Sequence, residues 1–102
     1  MAQFDVYRFA PRGAGFAYVV DLQNDLLDGL ATRIVAPLYA LKAKQQPILR
    51  LNPVFQIEGK AHFLAVQEMT ALRIKSLGAR VASLGEQRPA IIAALDFLIT
   101  GV

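Results

Sequence analysis

The C-terminal stretch carries the most continuous apolar pattern in the chain. Across residues 90–99 the only polar side chain is that of Asp96. Pro89 lacks a backbone N–H and fits only a first helical turn, so the pattern predicts a helix that begins between residues 85 and 88 and stops at Gly101. A helix that is apolar on nearly every side must be buried on nearly every side, and one small sheet can cover only one face. The other face is therefore predicted to meet a second copy of the chain. The row predicted to point outward consists of Arg88, Ile92, Asp96 and Thr100.

Upstream of the helix, runs of alternating or β-branched residues predict short strands. These strands cover residues 3–9, 16–23, 32–36, 48–57, 61–67 and 71–77. Pro37 should end the third strand or place it at a sheet edge, and Pro53 should interrupt the fourth. Turns are predicted at residues 10–15 and 58–60, and a surface loop at residues 39–47. The whole pattern predicts one mainly β domain over residues 1–102, a small antiparallel barrel with one C-terminal helix.

The composition indicates an interface and excludes several classes of function. The hydrophobic fraction is 55%, above the usual globular value of about 45–50%, and the excess indicates an oligomer interface or a target-binding face. No apolar run approaches the ~20 residues of a membrane span, and the N-terminal residues do not resemble a signal peptide. The absence of cysteine removes disulfides, thiol catalysis and thiolate zinc sites. These features predict a soluble cytoplasmic protein.

Charge and polar residues indicate no catalytic or metal site. The net charge is +3, but the basic residues are scattered, so no direct nucleic-acid binding is expected. Asp21, Asp25 and Asp28 lack the glycine and later glutamate of a calcium loop, which favours solvated turn carboxylates over a metal site. His62 is the only histidine and is predicted to pack in a strand, because no catalytic partner can be identified for it. The residues therefore predict a non-enzymatic protein without a cofactor.

Several short pieces of the sequence resemble one protein family in their order and spacing. The pieces are QFDVY at residues 3–7, VVDLQND at 19–25, R-x-V-x-P-L from Arg33, L-x-P-V from Leu51, Met69 and S-L-G-x-x-V-A-x-L from Ser76. A helix and a terminal Gly-hydrophobic pair follow them. Over essentially its whole length, the chain is similar to the CcdB family of toxins from toxin–antitoxin pairs.

This resemblance implies both a fold and a mode of action. The expected fold is an SH3-like β-barrel with a C-terminal helix, assembled as a symmetric homodimer. The expected activity is binding of the toxin dimer to the DNA gyrase A subunit, which traps gyrase on cleaved DNA. A cognate antitoxin is expected to neutralise the toxin by wrapping a disordered tail around the dimer. Toxins of this family have no catalytic activity of their own.

The resemblance also assigns residues to these contacts. The gyrase-contacting tail of the family is Trp-Gly-Ile, and Thr100 takes the place of the tryptophan. Leu26 and Leu27 stand where the family has two isoleucines, and Asp96 stands where it has an amide. Arg12 and its turn correspond to a region of antitoxin contact. The residues assigned to gyrase binding are Leu26, Leu27, Asp96, Thr100, Gly101 and Val102.

Alternative interpretations remain open at this point. Without the resemblance, Leu26 and Leu27 would be interpreted as core residues. The last residues would be a frayed helix end, and Arg12 would be an ordinary surface residue. Because a large aromatic often anchors an interface, Thr100 raises a second hypothesis: a diverged protein that binds an antitoxin-like or other partner without poisoning gyrase. A third hypothesis is an RNA-cleaving toxin, since a related family on this fold cuts RNA. That chemistry needs an acid/base pair and a cationic stabiliser, which the sequence does not bring together.

Overall fold

The fold is mainly β with one C-terminal helix, as predicted. The computed structural model describes residues 2–42 and 46–102 of the chain. The seven strands are β1 (Asp5–Arg8), β2 (Tyr18–Asp21), β3 (Thr32–Ala40), β4 (Val54–Ile57), β5 (Lys60–Leu64), β6 (Thr70–Arg73) and β7 (Arg80–Ser83), and the helix α1 is Arg88–Thr100. All strand pairs are antiparallel. The sheet curls into a half-barrel that α1 covers on one side.

β3 is the strand around which the sheet is arranged. The strand order is β4-β5-β3-β2-β1-β7, and β6 also pairs with β3. Along one edge β3 pairs with β2. Along its other edge, the first part of β3 pairs with β6 and the last part pairs with β5. Pro37 lies between these two partners, where its carbonyl accepts a hydrogen bond from the Ala65 N–H at 3.0 Å. The prediction that this strand ends at Pro37 or lies at an edge is therefore wrong. Proline has no backbone N–H to donate. It is tolerated here because the partner of β3 changes from β6 to β5 at this residue, so the strand needs no hydrogen-bond donor at this point.

The core lies between the inner face of the curled sheet and α1. It consists of Phe4, Val6, Val20, Leu22, Ala36, Leu38, Phe55, Ile57, Leu64, Val66, Leu84, Ile91 and Ala94. A second cluster on the outer face is formed by Tyr7, Val19 and Val35, with Phe9, Phe16, Leu72 and Leu77 packed against it. Because both faces of β1 and β2 are covered, these two strands are buried almost throughout.

The segment before β4 does not continue that strand, contrary to the prediction for residues 48–57. Residues 49–51 form a turn in which Arg50 has a left-handed φ of 72°. Asn52 holds this turn, because its side chain accepts from the Ile48 N–H at 2.9 Å and donates to the Leu64 carbonyl at 3.1 Å. Hydrogen bonds from a buried asparagine have overridden the strand propensity of the flanking apolar residues.

The remaining predictions hold with shorter strands. β5 and β6 each pass into a 3₁₀ helix, at Val66–Glu68 and Ile74–Ser76, and β7 was not predicted. The hairpin between β4 and β5 is confirmed: Glu58 and Gly59 both have positive φ, 50° and 82°, as a type I′ turn requires. Part of the predicted loop at residues 39–47 belongs to β3, and its residues 43–45 lie outside the described residues.

Helix α1 begins and ends where the sequence predicts. It follows a 3₁₀ turn at Gly85–Gln87, carries Pro89 in its first turn and stops at Gly101, whose φ is 75°. The Gly101 N–H donates to the Phe97 carbonyl at 3.0 Å. Only Ile91 and Ala94 are buried, so a single chain covers one face. In the predicted outward row, Ile92 instead packs against the core. No helix in the described part of the chain is long and apolar enough to cross a membrane.

Candidate target-binding surface

The most exposed leucine of the chain lies on a short turn between β2 and β3. Residues 24–30, which we call the leucine turn, contain a 3₁₀ helix at Asp25–Leu27. The Asn24 side chain caps this helix by accepting from the Leu26 N–H at 2.8 Å. Leu26 is 92% exposed and Leu27 is 51% exposed. The interpretation of these two leucines as core residues is therefore wrong, and both are available to a partner.

A buried ion pair anchors the base of the leucine turn. Arg33 on β3 and Asp21 on β2 have fully buried side chains, with Nη2 and Oδ2 2.7 Å apart. The Arg33 Nε donates to both Asp21 oxygens at 3.1 Å, and Nη2 also donates to the Gln23 carbonyl at 3.0 Å. Nη1 reaches Asp28 within the turn at 3.1 Å. A planar guanidinium with several donors thus joins two strands to the turn that they support.

The Gln23 amide completes this base. Its Nε2 donates to the carbonyls of Leu27 at 3.1 Å and Thr32 at 3.3 Å, while its Oε1 accepts from the Ile34 N–H at 3.1 Å. One backbone carbonyl within the leucine turn and two backbone groups of β3 just after it are therefore hydrogen-bonded to one buried side chain. This arrangement orders the turn, so that an apolar contact through Leu26 needs little further loss of conformational entropy.

The three aspartates of this region differ in their burial and in their contacts. The expectation of solvated turn carboxylates fails for Asp21, which is fully buried, and holds for the exposed Asp25 and Asp28. Asp25 accepts from the Gln3 N–H at 2.6 Å and so joins the turn to the N-terminal residues. Over residues 2–42 and 46–102 there is no group of three or more potential metal ligands.

The second group of assigned residues lies at the free end of α1. Residues 99–102, which we call the helix tip, carry two strongly exposed apolar side chains, Ile99 (72%) and Val102 (81%). The Thr100 hydroxyl donates to the Asp96 carbonyl at 2.7 Å, so it bonds back onto the helix. Asp96 is exposed one turn earlier, on the same side as Thr100. The helix tip is therefore an apolar end next to one carboxylate.

The chain places the assigned residues in two separate groups. Leu26 and Leu27 share the leucine turn, whereas Asp96 and residues 100–102 share the end of α1. In the described structure no hydrogen bond or ion pair joins the two groups. Sequence reasoning missed the exposed Leu30 and Ile99. Ile99 could have been found from its place in an apolar helix that one sheet cannot cover, but Leu30 had no comparable signal.

Arg12 is exposed at the turn between β1 and β2, as predicted. Gly13 and Gly15 form this turn with φ of 78° and 79°, and Arg12 has no hydrogen bond or ion pair to any other described residue. Beside the turn runs a chain of ring contacts. Its members are Phe9 and Phe16 (centroids 6.3 Å apart), Phe16 and Tyr39 (5.6 Å), and Tyr39 and Phe63 (5.5 Å). The turn thus borders an aromatic strip on the outer face of the sheet.

Tyr39 within this strip has a strongly changed acidity. Its hydroxyl donates to Glu68 Oε1 at 2.5 Å. This hydrogen bond to a carboxylate is the main reason that the pKa of Tyr39 is raised from 10.0 to about 12, and burial and the charge of Glu68 act in the same direction. Ionisation would place a phenolate beside a carboxylate, so the neutral phenol is favoured.

A third cluster, formed by Arg8, Tyr18, Glu58 and His62, bears on RNA cleavage. Glu58 accepts from Arg8 at 2.9 Å and from the Tyr18 hydroxyl at 2.6 Å. The hydrogen bond to Glu58 also raises the pKa of Tyr18. His62 is buried beside them, edge-on to Tyr18 with ring centroids 5.4 Å apart, and its Nδ1 lies 2.9 Å from the Lys60 carbonyl. The prediction of a packed histidine is confirmed. Glu58 is occupied in bracing the β4–β5 hairpin against β1 and β2, which favours a structural role for this cluster.

Comparison with known families identifies the chain. The family model described as CcdB protein matches residues 3–101, nearly the whole length. The chain belongs to the CcdB family. Membership in this family indicates a toxin of a toxin–antitoxin pair with gyrase as the family's target. The curled antiparallel sheet with one C-terminal helix agrees with the fold expected for a CcdB protein.

Within the CcdB framework, Thr100 takes the position at which the resemblance implies a tryptophan. Thr100 is exposed, and its side chain bonds only to its own helix. An aromatic side chain at this position would be equally free of the core. A tryptophan at this point would add a large apolar surface to the helix tip.

Proposed function

We propose that this CcdB-family protein is the toxin of a type II toxin–antitoxin pair and acts on DNA gyrase in the cytoplasm. As a homodimer it binds the gyrase A subunit and traps the enzyme on cleaved DNA. It acts by protein–protein binding, without catalysis or a cofactor, and a cognate antitoxin with a disordered tail neutralises it. The observation that carries this proposal is the exposure of Leu26 on a turn held by the buried pair of Arg33 and Asp21.

The gyrase-binding residues that we propose lie in the leucine turn and at the C-terminal end of α1. They are Leu26, Leu27, Asp96, Thr100, Gly101 and Val102. An exposed leucine on an ordered turn is typical of an interface, because the entropy cost of ordering it has been met on folding. Val102 adds a second apolar contact. In a two-fold dimer each group is presented twice, which suits a symmetric target.

Antitoxin binding is proposed at Arg12 and its turn. This guanidinium is exposed and without a carboxylate partner among the described residues, so it can pair with acidic side chains of an antitoxin tail. The aromatic strip that begins at Phe9 and Phe16 would supply the apolar part of the contact. A protein of net charge +3 also favours an acidic partner.

A gyrase cleavage-complex assay with the purified protein and with Thr100→Trp tests this function. We expect the unaltered protein to trap cleaved DNA, and Thr100→Trp to do so at about tenfold lower concentration, since an added aromatic anchor contributes on the order of 1–2 kcal/mol. Leu26→Ser should abolish or strongly weaken trapping by both proteins. Lys60→Ser, a change at an exposed residue of the β4–β5 hairpin, is the control.

The same assay decides the second candidate, which Thr100 motivates. If only Thr100→Trp traps cleaved DNA, the protein is a diverged CcdB scaffold that has lost its aromatic anchor. If neither protein traps cleaved DNA although both are folded, gyrase is not the target. The partner would then be an antitoxin-like or other protein.

A further inference from the structure

An apolar groove lies between α1 and the turn that precedes β4. Its volume is about 370 Å³, and residues 47–50 and 52–54 form one wall while Ala90 and Ala93 form the other. Such a volume lies at the small end of the ~300–1,000 Å³ of ligand sites. The groove is separate from the leucine turn and from the helix tip, and none of the contacts proposed above uses it.

The edges of this groove expose more apolar surface than folding requires. Leu49 is 88% exposed, and Ile48 and Val54 are both exposed beside it. Single exposed apolar residues are common, but several around one concave site indicate a binding surface. The small side chains of Ala90 and Ala93 keep the opposite wall open.

Arg50 gives the groove a charge. Its guanidinium lies over the Phe97 ring, 4.6 Å from the centroid, and it has no carboxylate partner within residues 2–42 and 46–102. Its backbone is held at φ 72°, a conformation that a non-glycine residue adopts at an energetic cost and often at a functional position. A fixed cation beside an apolar groove favours a ligand that combines an apolar side chain with a carboxylate.

The backbone next to the groove can also pair with a ligand. β4 is the terminal strand of the sheet. The Leu64 N–H donates to the Pro53 carbonyl at 2.9 Å. The backbone hydrogen-bonding groups of Pro53, Phe55 and Ile57 therefore point towards β5 in this antiparallel ladder. Because hydrogen-bonding groups alternate along a strand, the backbone groups of Val54 and Gln56 face the open side. Val54 also lines the groove, so the free edge and the groove form one continuous surface.

We propose that this surface binds an extended acidic peptide segment that carries one large apolar side chain. The apolar side chain fills the groove, a carboxylate pairs with Arg50, and the peptide backbone adds a strand to the edge of β4. The source that we assign is a segment of the antitoxin tail, so this inference rests on the proposed function and extends the antitoxin contact beyond Arg12.

The test uses the full chain and two synthetic peptides. The probe is the peptide Asp-Glu-Asp-Ala-Phe-Glu-Asp-Glu with fluorescein at its N-terminus, and its control carries Lys in place of every acidic residue. Binding is measured by fluorescence anisotropy, and amide exchange by NMR reports on the Val54 and Gln56 N–H groups. We expect the acidic peptide to bind, the lysine peptide to bind at least about tenfold more weakly, and the two amides to become protected.

Two variants and one matched control locate the site. Arg50→Asn removes the charge with a residue that tolerates the left-handed backbone, and should weaken peptide binding about tenfold. Ala93→Phe fills the groove from an exposed helix position and should abolish binding. Arg73→Asn makes the same charge change on β6 and should leave binding unchanged. Circular dichroism and thermal melts establish that each variant is folded.

The outcomes separate this inference from the gyrase proposal. Equal binding of both peptides, equal effects of Arg50→Asn and Arg73→Asn, or no binding at all would overturn the groove assignment. A change of oligomeric state in Ala93→Phe would assign the groove to a second copy of the chain and would likewise overturn it. Gyrase trapping should persist in both groove variants. If the unaltered protein binds the peptide but does not trap gyrase on cleaved DNA, gyrase is not the target and the groove assignment stays in place.

Discussion

At the scale of single residues, Tyr39 shows how one contact changes the behaviour of a surface side chain. Its ring is stacked on Phe63 and edge-on to Phe16, and its hydroxyl is bonded to Glu68. Gly15 lies beside the same ring, because a Cβ built on this glycine would be 3.9 Å from the Tyr39 Cε1 atom. Tyr39 therefore lies beside the turn that contains Arg12 and within the aromatic strip.

The pH dependence of Tyr39 follows from its raised pKa. The folded-state value of about 12 exceeds the ordinary 10.0, so folding favours the neutral phenol. This contribution to stability is fully present below pH 10 and is lost as the pH rises towards 12. We expect NMR titration of ring-labelled tyrosine to give a pKa near 12 for Tyr39, and Glu68→Gln to move it back towards 10. An unchanged pKa in Glu68→Gln would show that burial, rather than this hydrogen bond, sets the value.

At the scale of elements, the leucine turn depends on a charge pair that it does not itself contain. Arg33 lies on β3 and Asp21 on β2, and the two are paired. Arg33 then bonds to the Gln23 carbonyl just before the turn and to Asp28 within it. Charges removed from water are costly unless they are paired and fully hydrogen-bonded. Every buried side-chain polar atom in the described residues has a partner, so the pair is stable as a unit and sensitive to the loss of either member.

Asp21→Asn should therefore be strongly destabilising. The substitution keeps the shape of the side chain but leaves the buried Arg33 guanidinium with only the half-exposed Asp28 as a counter-ion. About 3–5 kcal/mol of the free energy of unfolding should therefore be lost. Urea denaturation measures this loss. Asp28→Asn is the matched control, since Asp28 is half exposed, and it should cost about 1 kcal/mol or less. Similar losses in the two variants would mean that burial of the pair does not govern its contribution.

At the scale of the whole molecule, the high hydrophobic fraction is explained by where the apolar residues lie. A single chain leaves apolar side chains exposed at the leucine turn, at the helix tip and around the groove. One side of α1 stays uncovered in the single chain and includes Ala90 and Ala93 of the groove. Packing of a second copy on α1 stays a prediction. The chain thus carries more than one apolar surface, and a dimer, a target and an antitoxin can occupy different ones.

The dimer that we propose should depend on the uncovered side of α1. Ile99→Lys places a charge on an exposed apolar residue of this side and should weaken self-association at least about tenfold without unfolding the chain. Sedimentation velocity over a range of concentrations measures the effect. Val54→Lys makes the same change at the groove and should leave the dimer intact. A wild-type protein that stays monomeric at every concentration, or an Ile99→Lys dimer of normal affinity, would contradict this arrangement.

Local chemistry along the chain was sufficient to predict the elements whose ends are set by near neighbours. Pro89 and Gly101 delimit α1 because each restricts or permits backbone angles at its own position. Glu58 and Gly59 form the hairpin for the same reason. The order and spacing of short motifs also pointed to the CcdB family, which the family match confirms.

Contacts between distant segments decided the rest. Pro37 is accepted inside a central strand only because β6 and β5 meet there, and Arg33 becomes buried only because Asp21 lies on the neighbouring strand. The groove beside Arg50 exists because Asn52 bonds to β5 and so turns the chain away from an extended path. Whether Leu26 belongs to the core or the surface likewise depends on how the sheet closes. Hydrophobic pattern and propensity describe each residue among its neighbours in sequence, whereas burial and pairing depend on which segments meet in space.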